Sequence, residues 1–478
     1  MKIMLCNPPT GFFLRDERCQ IDMNTRVAEN MREPIQLLYL AGLVKSLGYE
    51  VALHDYSFPR YTLDDVCKDI EAFKPEWFYM ETTQGTFTPD LEFMASLRQK
   101  GYNMKFLLKA PFVDRDYLQE KLLMRPFFKD ISCYFITRDA EDTLKEVLAK
   151  GREGILSSVF YWHNGEIEVF DHTIDQAHKR FKLDDYPIPP RELLNKFDYV
   201  RPDTGEPIAY IYTAKGCPYP CVFCSAPVYL GKTINMRSVE SVIAEIENCV
   251  HEHGINNFFF RSDTFTFEKK WVLSFCAHIL DKGLVIRWGT NSRVDKIDRE
   301  MVEAMKKAGC DIIGFGVESG SDRILEHIKK VITTAQIKAA HRCVKEAGIK
   351  SFFHTIIGFP WDTHETIKET QRFLLQESPD FIEVNVPYPL RGTELFAIAK
   401  EHGLFISDDL EAYSHVKPIL RTFTLTPEEV SRYRKQILRS FYLRPHYIFS
   451  KLCSIKNPKV FINYMKWGVA FLGKLRRA

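Results

Sequence analysis

At 478 residues the chain is longer than one hydrophobic core normally serves, so two or three domains are expected. With 45% hydrophobic and 27% charged residues it has the make-up of an ordinary soluble globular protein, and no window of eighteen apolar residues marks a membrane span. The formal charge is only +2, yet residues 430–478 hold twelve Lys/Arg and no Asp/Glu, which leaves the rest of the chain near −10.

The opening Met1-Lys-Ile-Met-Leu-Cys-Asn-Pro-Pro9 reaches two prolines before the apolar core of a secretion signal could form, so a cytoplasmic location is expected. Residues 1–151 then alternate short apolar runs with amphipathic stretches. Strands are predicted over 2–7, 50–55, 77–81, 104–109 and 133–137, and helices over 35–47 (ended by Gly48), 63–73, 90–100, 115–123 and 140–150. This is the rhythm of a doubly wound, flavodoxin-like α/β sheet. His54-Asp55, at the end of the second strand, reads as a satisfied turn rather than a ligand pair. Residues 152–206 lose the rhythm, carry Asp184-Asp-Tyr-Pro-Ile-Pro-Pro190, and are read as a connector.

From 208 the alternation restarts, with strands predicted over 208–214, 256–262, 285–291, 311–318, 350–358 and 380–386 and helices between them. Six βα units fit a partial (β/α)6 barrel over 207–400, and also an open sheet. Polar residues gather where the strands end, the side on which parallel α/β folds place their chemistry. Over 401–478 the period is helical only.

Nine of the twelve cysteines stand alone in amphipathic or apolar segments and read as buried small hydrophobes. The other three are clustered in Thr213-Ala-Lys-Gly-Cys217-Pro-Tyr-Pro-Cys221-Val-Phe-Cys224, directly after the first strand of the second unit. A loop turned by Gly216, Pro218 and Pro220 can wrap three thiolates around one iron–sulfur cubane, where a helix cannot. Three ligands for four irons leave one iron open to substrate, as a catalyst needs. The competing zinc site would want a second CxxC pair, which the chain lacks.

Cys-x3-Cys-x2-Cys after the first strand of a six-unit βα domain resembles the radical S-adenosylmethionine (SAM) superfamily. The resemblance implies a [4Fe–4S] cluster on Cys217, Cys221 and Cys224. It also implies that the open iron binds the amino and carboxylate groups of SAM, and that an injected electron yields methionine and a 5′-deoxyadenosyl radical. The other strand ends agree with the family pattern: Asp263 and Thr264 after the second, Asn291 and Arg293 after the third, Glu318, Ser319 and Gly320 after the fourth, Gly358-Phe-Pro360 after the fifth, and Tyr388 to Thr393 after the sixth. In the family such residues contact SAM, with the Glu and Ser on its ribose and amino group and the fifth segment near its adenine.

A doubly wound domain ahead of such a barrel resembles the cobalamin-binding group of the superfamily, which includes anaerobic magnesium-protoporphyrin cyclase, hopanoid-modifying enzymes and methylases acting on carbon or phosphorus. The resemblance implies a cobalamin seat near Asn7, Pro8, Thr82, Thr83, Gln84 and Ala110. The chain lacks the Asp-x-His-x-x-Gly loop that supplies a lower histidine ligand, as many radical SAM relatives do. It also has Lys109 and Arg138 where relatives carry glycine, and those side chains would crowd the corrin tail. A sheet that keeps the fold without the cofactor therefore stays open.

In the basic tail, Arg432, Arg434, Lys435, Arg439 and Arg444 interleave with aromatic and aliphatic residues. The last helix mixes Phe461, Tyr464, Trp467, Phe471 and Leu472 with Lys466, Lys474, Arg476 and Arg477. That pattern suits peripheral contact with an anionic membrane, or packing against the acidic body; no nucleic-acid module accompanies it. The leading expectation is a cobalamin-dependent radical SAM methylase or rearrangement catalyst acting on a lipid, isoprenoid or other natural-product precursor, with flavodoxin or ferredoxin as electron donor. The alternatives are a radical oxidoreductase or carbon-skeleton enzyme using SAM alone, and a non-catalytic iron–sulfur protein that binds SAM. The sequence identifies neither the substrate nor the oligomeric state.

Overall fold

The computed structural model describes the chain except residues 16–20, 26–30, 126–127, 129–130, 139, 151–158, 171–180, 408–414, 456 and 478. Expectations about Cys19 and much of the connector lie outside the described residues, as do those about the side chains of Phe471, Leu472, Lys474, Arg476 and Arg477.

The N-terminal strands are β1 (Lys2–Asn7), the short ribbon β2 (Phe13–Leu14) with β3 (Ile21–Asp22), β4 (Glu50–Asp55), β5 (Trp77–Glu81), β6 (Lys105–Lys109) and β7 (Cys133–Ile136). They alternate with α1 (Ile35–Ser46), α2 (Leu63–Phe73), α3 (Phe87–Gln99), α4 (Arg115–Leu123) and α5 (Ala140–Lys150). The parallel order β4-β1-β5-β6-β7 is the flavodoxin order expected from the sequence. Strands covered on both faces read as continuous apolar runs, and every residue of β5 and β7 is buried. One core lies on each side of the sheet. Helix α1 is buried almost all round because it is sandwiched: Tyr39 lies in the N-terminal core with Tyr212 of the second sheet, ring centroids 5.3 Å apart.

Part of the stretch read as a connector is sheet instead. Strands β8 (Val159–His163) and β9 (Glu166–Phe170) form a hairpin that extends the N-terminal sheet antiparallel from β7. Its turn is Asn164-Gly165, with φ of 53° and 84°. Two positive φ values in a two-residue turn match the right-handed twist of the flanking strands, which is why Asn-Gly occurs there.

The second sheet runs β10 (Ile208–Tyr212), β13 (Asn257–Arg261), β14 (Arg287–Ser292), β15 (Cys310–Glu318), β16 (Lys350–Ile356) and β17 (Phe381–Asn385), all parallel and in sequence order, as a partial barrel requires. A separate two-stranded ribbon, β11 (Ala214–Lys215) with β12 (Asn235–Met236), frames the cysteine loop. Outside lie α6 (Ala226–Tyr229), α7 (Val239–His251), α8 (Lys269–Asp281), α9 (Arg299–Lys307), α10 (Asp322–His327), α11 (Thr334–Glu346), α12 (His364–Glu377) and α13 (Glu394–Glu401). The helices α14 (Pro427–Tyr442), α15 (Pro445–Ser454) and α16 (Pro458–Arg477) follow. The barrel core sits between strands and outer helices, and Val430, Ile437 and Phe441 of α14 belong to it.

Candidate active site

The cysteine loop leaves β11 through Gly216, whose φ of +96° and close approach to the Thr233 carbonyl, 2.2 Å from where a Cβ would stand, admit only glycine. Backbone bonds then fix the loop's course. Gly216 N–H donates to Asp263 Oδ2 (2.9 Å), Cys217 N–H to the Gly231 carbonyl (3.1 Å), Val222 N–H to the Ile328 carbonyl (3.1 Å), and Leu395 N–H to the Val222 carbonyl (2.8 Å). Val222 is buried and Phe223 packs on Phe359, 5.4 Å between centroids, so the loop is anchored while Cys217, Cys221 and Cys224 stay half-exposed.

Of the nine other cysteines, Cys6, Cys67, Cys133, Cys249, Cys276 and Cys310 are buried as expected; Cys343 is half-buried and Cys453 exposed, which corrects the expectation for those two. Burial raises the thiol pKa of Cys249 and Cys276 to about 12, so both stay protonated packing groups. The three loop cysteines thus fit a cluster by donor chemistry, exposure and loop stiffness. Among the described residues no three or more His, Cys, Asp or Glu side chains come together closely enough to hold a single metal ion; the three thiolates of a cubane bind three different irons and stand farther apart.

Three strand-end residues touch this loop: Asp263 at Gly216, Arg293 at Tyr219 and Phe359 at Phe223. Glu318 closes β15 at φ +62°, a costly conformation for a non-glycine residue, and its Oε1 accepts from buried Lys330 Nζ (2.7 Å). Burial alone would lower the Lys330 pKa, but the Glu318 carboxylate and the Cys221 thiol outweigh it and the net direction is up, so Lys330 stays a cation. Arg293 lies with its guanidinium 3.5 Å from the Tyr219 ring centroid, inside the Cys217–Cys221 turn, and donates to Asp295 (2.9 Å) and the Lys330 carbonyl (2.9 Å). Asn291, on β14, reaches over Gly314, as does His354 of β16, which in turn meets Glu383 of β17 through Nδ1 (3.1 Å).

Ser319 is fully buried and shares a hydrogen bond with Thr370 (3.0 Å), so it shapes the turn. Gly358, at φ +93°, and Phe359 donate to buried Asp362 Oδ2 (2.8 and 3.0 Å), and Pro360 accepts from Phe423 (2.8 Å). Sequence reading missed Lys330, Tyr219, Asp362 and the His354–Glu383 pair. Lys330 follows another lysine as a solvated helix end would, and the pair is split between two strands.

The residues read as a cobalamin seat collect at the C-terminal edge of the N-terminal sheet. Asn7 donates to Asp55 (3.2 Å), which also accepts from Tyr199 (2.9 Å), so the His54-Asp55 turn is satisfied as expected. Thr82 donates to Asp90 (2.5 Å), itself in a buried pair with Arg15 (2.7 Å), and Thr83 bonds Thr86 (2.9 Å). Pro8 is buried, and Ala110 N–H donates to the Ile136 carbonyl (2.8 Å). Gln84 crosses to the barrel: its Nε2 donates to Tyr388 OH (2.8 Å).

This combination of a flavodoxin-type sheet, a six-stranded parallel partial barrel and a three-cysteine loop at its first strand end defines an iron–sulfur enzyme class, and residues 211–374 match the model of the radical SAM superfamily. The chain belongs to the radical SAM superfamily and is an enzyme. It is 31% identical to an uncharacterised methyltransferase of Pyrococcus horikoshii over 93% of each chain. It is 30% identical to the anaerobic magnesium-protoporphyrin IX monomethyl ester cyclase of Cereibacter sphaeroides, over 53% of this chain and 41% of that one. In fold it is similar to the solved structure of the cobalamin-dependent SAM radical enzyme OxsB with aqua-cobalamin and SAM bound: TM-score 0.70, 15% identity, 97% of this chain and 70% of that one.

Proposed function

We propose that the chain is a cobalamin-dependent radical SAM enzyme that methylates or rearranges a lipid, isoprenoid or other natural-product precursor. The observation that carries this reading is the Gln84–Tyr388 bond, 2.8 Å long, which joins the C-terminal edge of the first sheet to the segment after the last barrel strand. The two ligand-side edges therefore meet at this bond, as a cofactor shared between them would require. Of the two side chains expected to crowd a corrin, Lys109 is buried with its ammonium turned onto the Arg138 carbonyl and Arg138 is exposed, which supports this reading.

Cys217, Cys221 and Cys224 would hold the [4Fe–4S] cluster, whose chemistry when bound is one-electron reduction of SAM, while cobalamin supplies a methyl carrier. Glu318, with Oε1 on Lys330, has Oε2 for the SAM amino group. Asp263, Asn291, Arg293, Ser319, Gly358 and Pro360 line or brace that site. Asn7, Thr82, Thr83 and Gln84 already bond to protein and Pro8 and Ala110 are buried, so together they would shape the cobalamin floor. A low-potential donor such as flavodoxin or ferredoxin delivers the electron, in a cytoplasmic protein. Anaerobic reconstitution with hydroxocobalamin tests the reading. A retained corrin spectrum without a histidine ligand is expected, with S-adenosylhomocysteine formed beside 5′-deoxyadenosine on methylation. SAM cleavage without corrin retention would contradict it.

A further inference from the structure

The last two helices pack at the end of the barrel opposite the cysteine loop. Tyr447 OH donates to the Asp380 carbonyl (2.7 Å), Lys451 Nζ to Asp380 Oδ1 (2.6 Å), and Asn463 Nδ2 to the Asp203 carbonyl (3.0 Å). Asp380 immediately precedes β17 and Asp203 lies just ahead of β10, so these contacts are at the N-terminal ends of the strands, whereas Cys217 follows the C-terminal end of β10.

One side of α15 and α16 is thus fixed to an acidic rim of the barrel. The other side is open: Phe449 is 68% and Val469 69% exposed, and Leu452, Ile462 and Met465 are exposed with them. Lys459 and Lys466 are exposed on α16 beside Ile462, Met465 and Val469. Scattered exposed apolar residues are ordinary, but a concentration on two consecutive helices marks an interaction surface.

We propose that α15 and α16 form a docking face for an anionic phospholipid bilayer. Charge decides the occupant. Residues 445–477, which span α15 and α16, hold seven Lys/Arg and no Asp/Glu, so a second copy docking by two-fold symmetry would set like charges against each other, while an anionic bilayer complements them. Among the described residues no helix is long and apolar enough to cross a membrane, so the helices lie in the interface with the apolar side chains inserted. The cysteine loop then faces away from the lipid, and the contact anchors the enzyme without placing the barrel mouth in the bilayer.

Full-length protein is co-sedimented with vesicles of phosphatidylcholine, alone or mixed with phosphatidylglycerol. Binding only to the mixed vesicles is expected, falling about tenfold or more at high salt. The double variant Phe449→Ser/Val469→Ser should bind about tenfold more weakly, since it removes two inserted apolar groups, while the reconstituted variant still forms 5′-deoxyadenosine. Absence of vesicle binding, equal binding to neutral vesicles, or a vesicle-free doubling of mass that the double variant abolishes would each overturn the proposal.

Discussion

Asp362 stands under the Gly358-Phe-Pro360 segment with both oxygens engaged, Oδ2 by two backbone N–H groups and Oδ1 by Thr366 (2.7 Å). Burial pushes its carboxyl up to about 6 against the lowering effect of those bonds. The folded protein therefore keeps this proton at pH values where the unfolded chain has lost it. The stabilisation is full below about pH 4 and is lost as pH rises towards 6, about 3 kcal/mol in all. Urea unfolding of wild type and Asp362→Asn across that range should show the wild-type advantage shrinking as pH rises; parallel pH curves would count against it. Glu318→Ala should weaken SAM binding about tenfold or more with iron content unchanged, read by equilibrium dialysis. Glu318 was legible in the sequence because it ends the fourth strand of a domain whose cysteine loop resembles the radical SAM pattern; alone it would have read as a turn or a helix cap. Its partner Lys330, twelve residues on, was not legible, since only folding brings the two together.

Among the elements, the cysteine loop depends most on a single residue. Gly216→Ala would place a methyl group against the Thr233 carbonyl in a left-handed conformation, so the variant should lose most of its reconstituted iron and sulfide while keeping its far-ultraviolet circular dichroism. Full cluster retention would show that the ribbon yields. The order of the strands was readable because apolar runs and helical periods alternate strictly from Lys2 to Lys150 and again from Ile208. The β8–β9 hairpin was not legible as such, although Asn164-Gly165 between two short runs is a hairpin signal, because the strand–helix rhythm lapses over 152–206 and the proline-rich 184–190 stretch reads as a connector. Helix α3 begins at Phe87 rather than at residue 90, because Thr86 and Asp90 are tied into the Arg15 cluster.

Across the whole molecule, the N-terminal sheet reaches the cysteine loop through Lys215, two residues before Cys217. Its Nζ donates to Glu141 (2.9 Å) of α5 and to Gln36 (2.7 Å) of α1. Burial would raise the Glu141 carboxyl, but Lys215, Tyr186 and Gln36 together hold it well below the usual range. Glu141→Ala leaves the largely buried ammonium without its carboxylate and should cost about 3 kcal/mol in urea unfolding, with the loss fading in acid as the wild-type carboxylate itself becomes protonated. No sequence pattern announces this contact, because its partners are 74 residues apart, one on helix α5 and the other on the β11 ribbon strand. The central claim is that these parts converge on SAM at a cluster held by three cysteines. Its most direct test is 5′-deoxyadenosine formation by anaerobically reconstituted, dithionite-reduced protein, with iron and sulfide measured on the same sample. Wild type should carry about four of each and form the nucleoside, and the Cys217→Ala/Cys221→Ala/Cys224→Ala variant should do neither. A full cluster in that variant, or no nucleoside from a fully loaded wild type given SAM, would contradict the account.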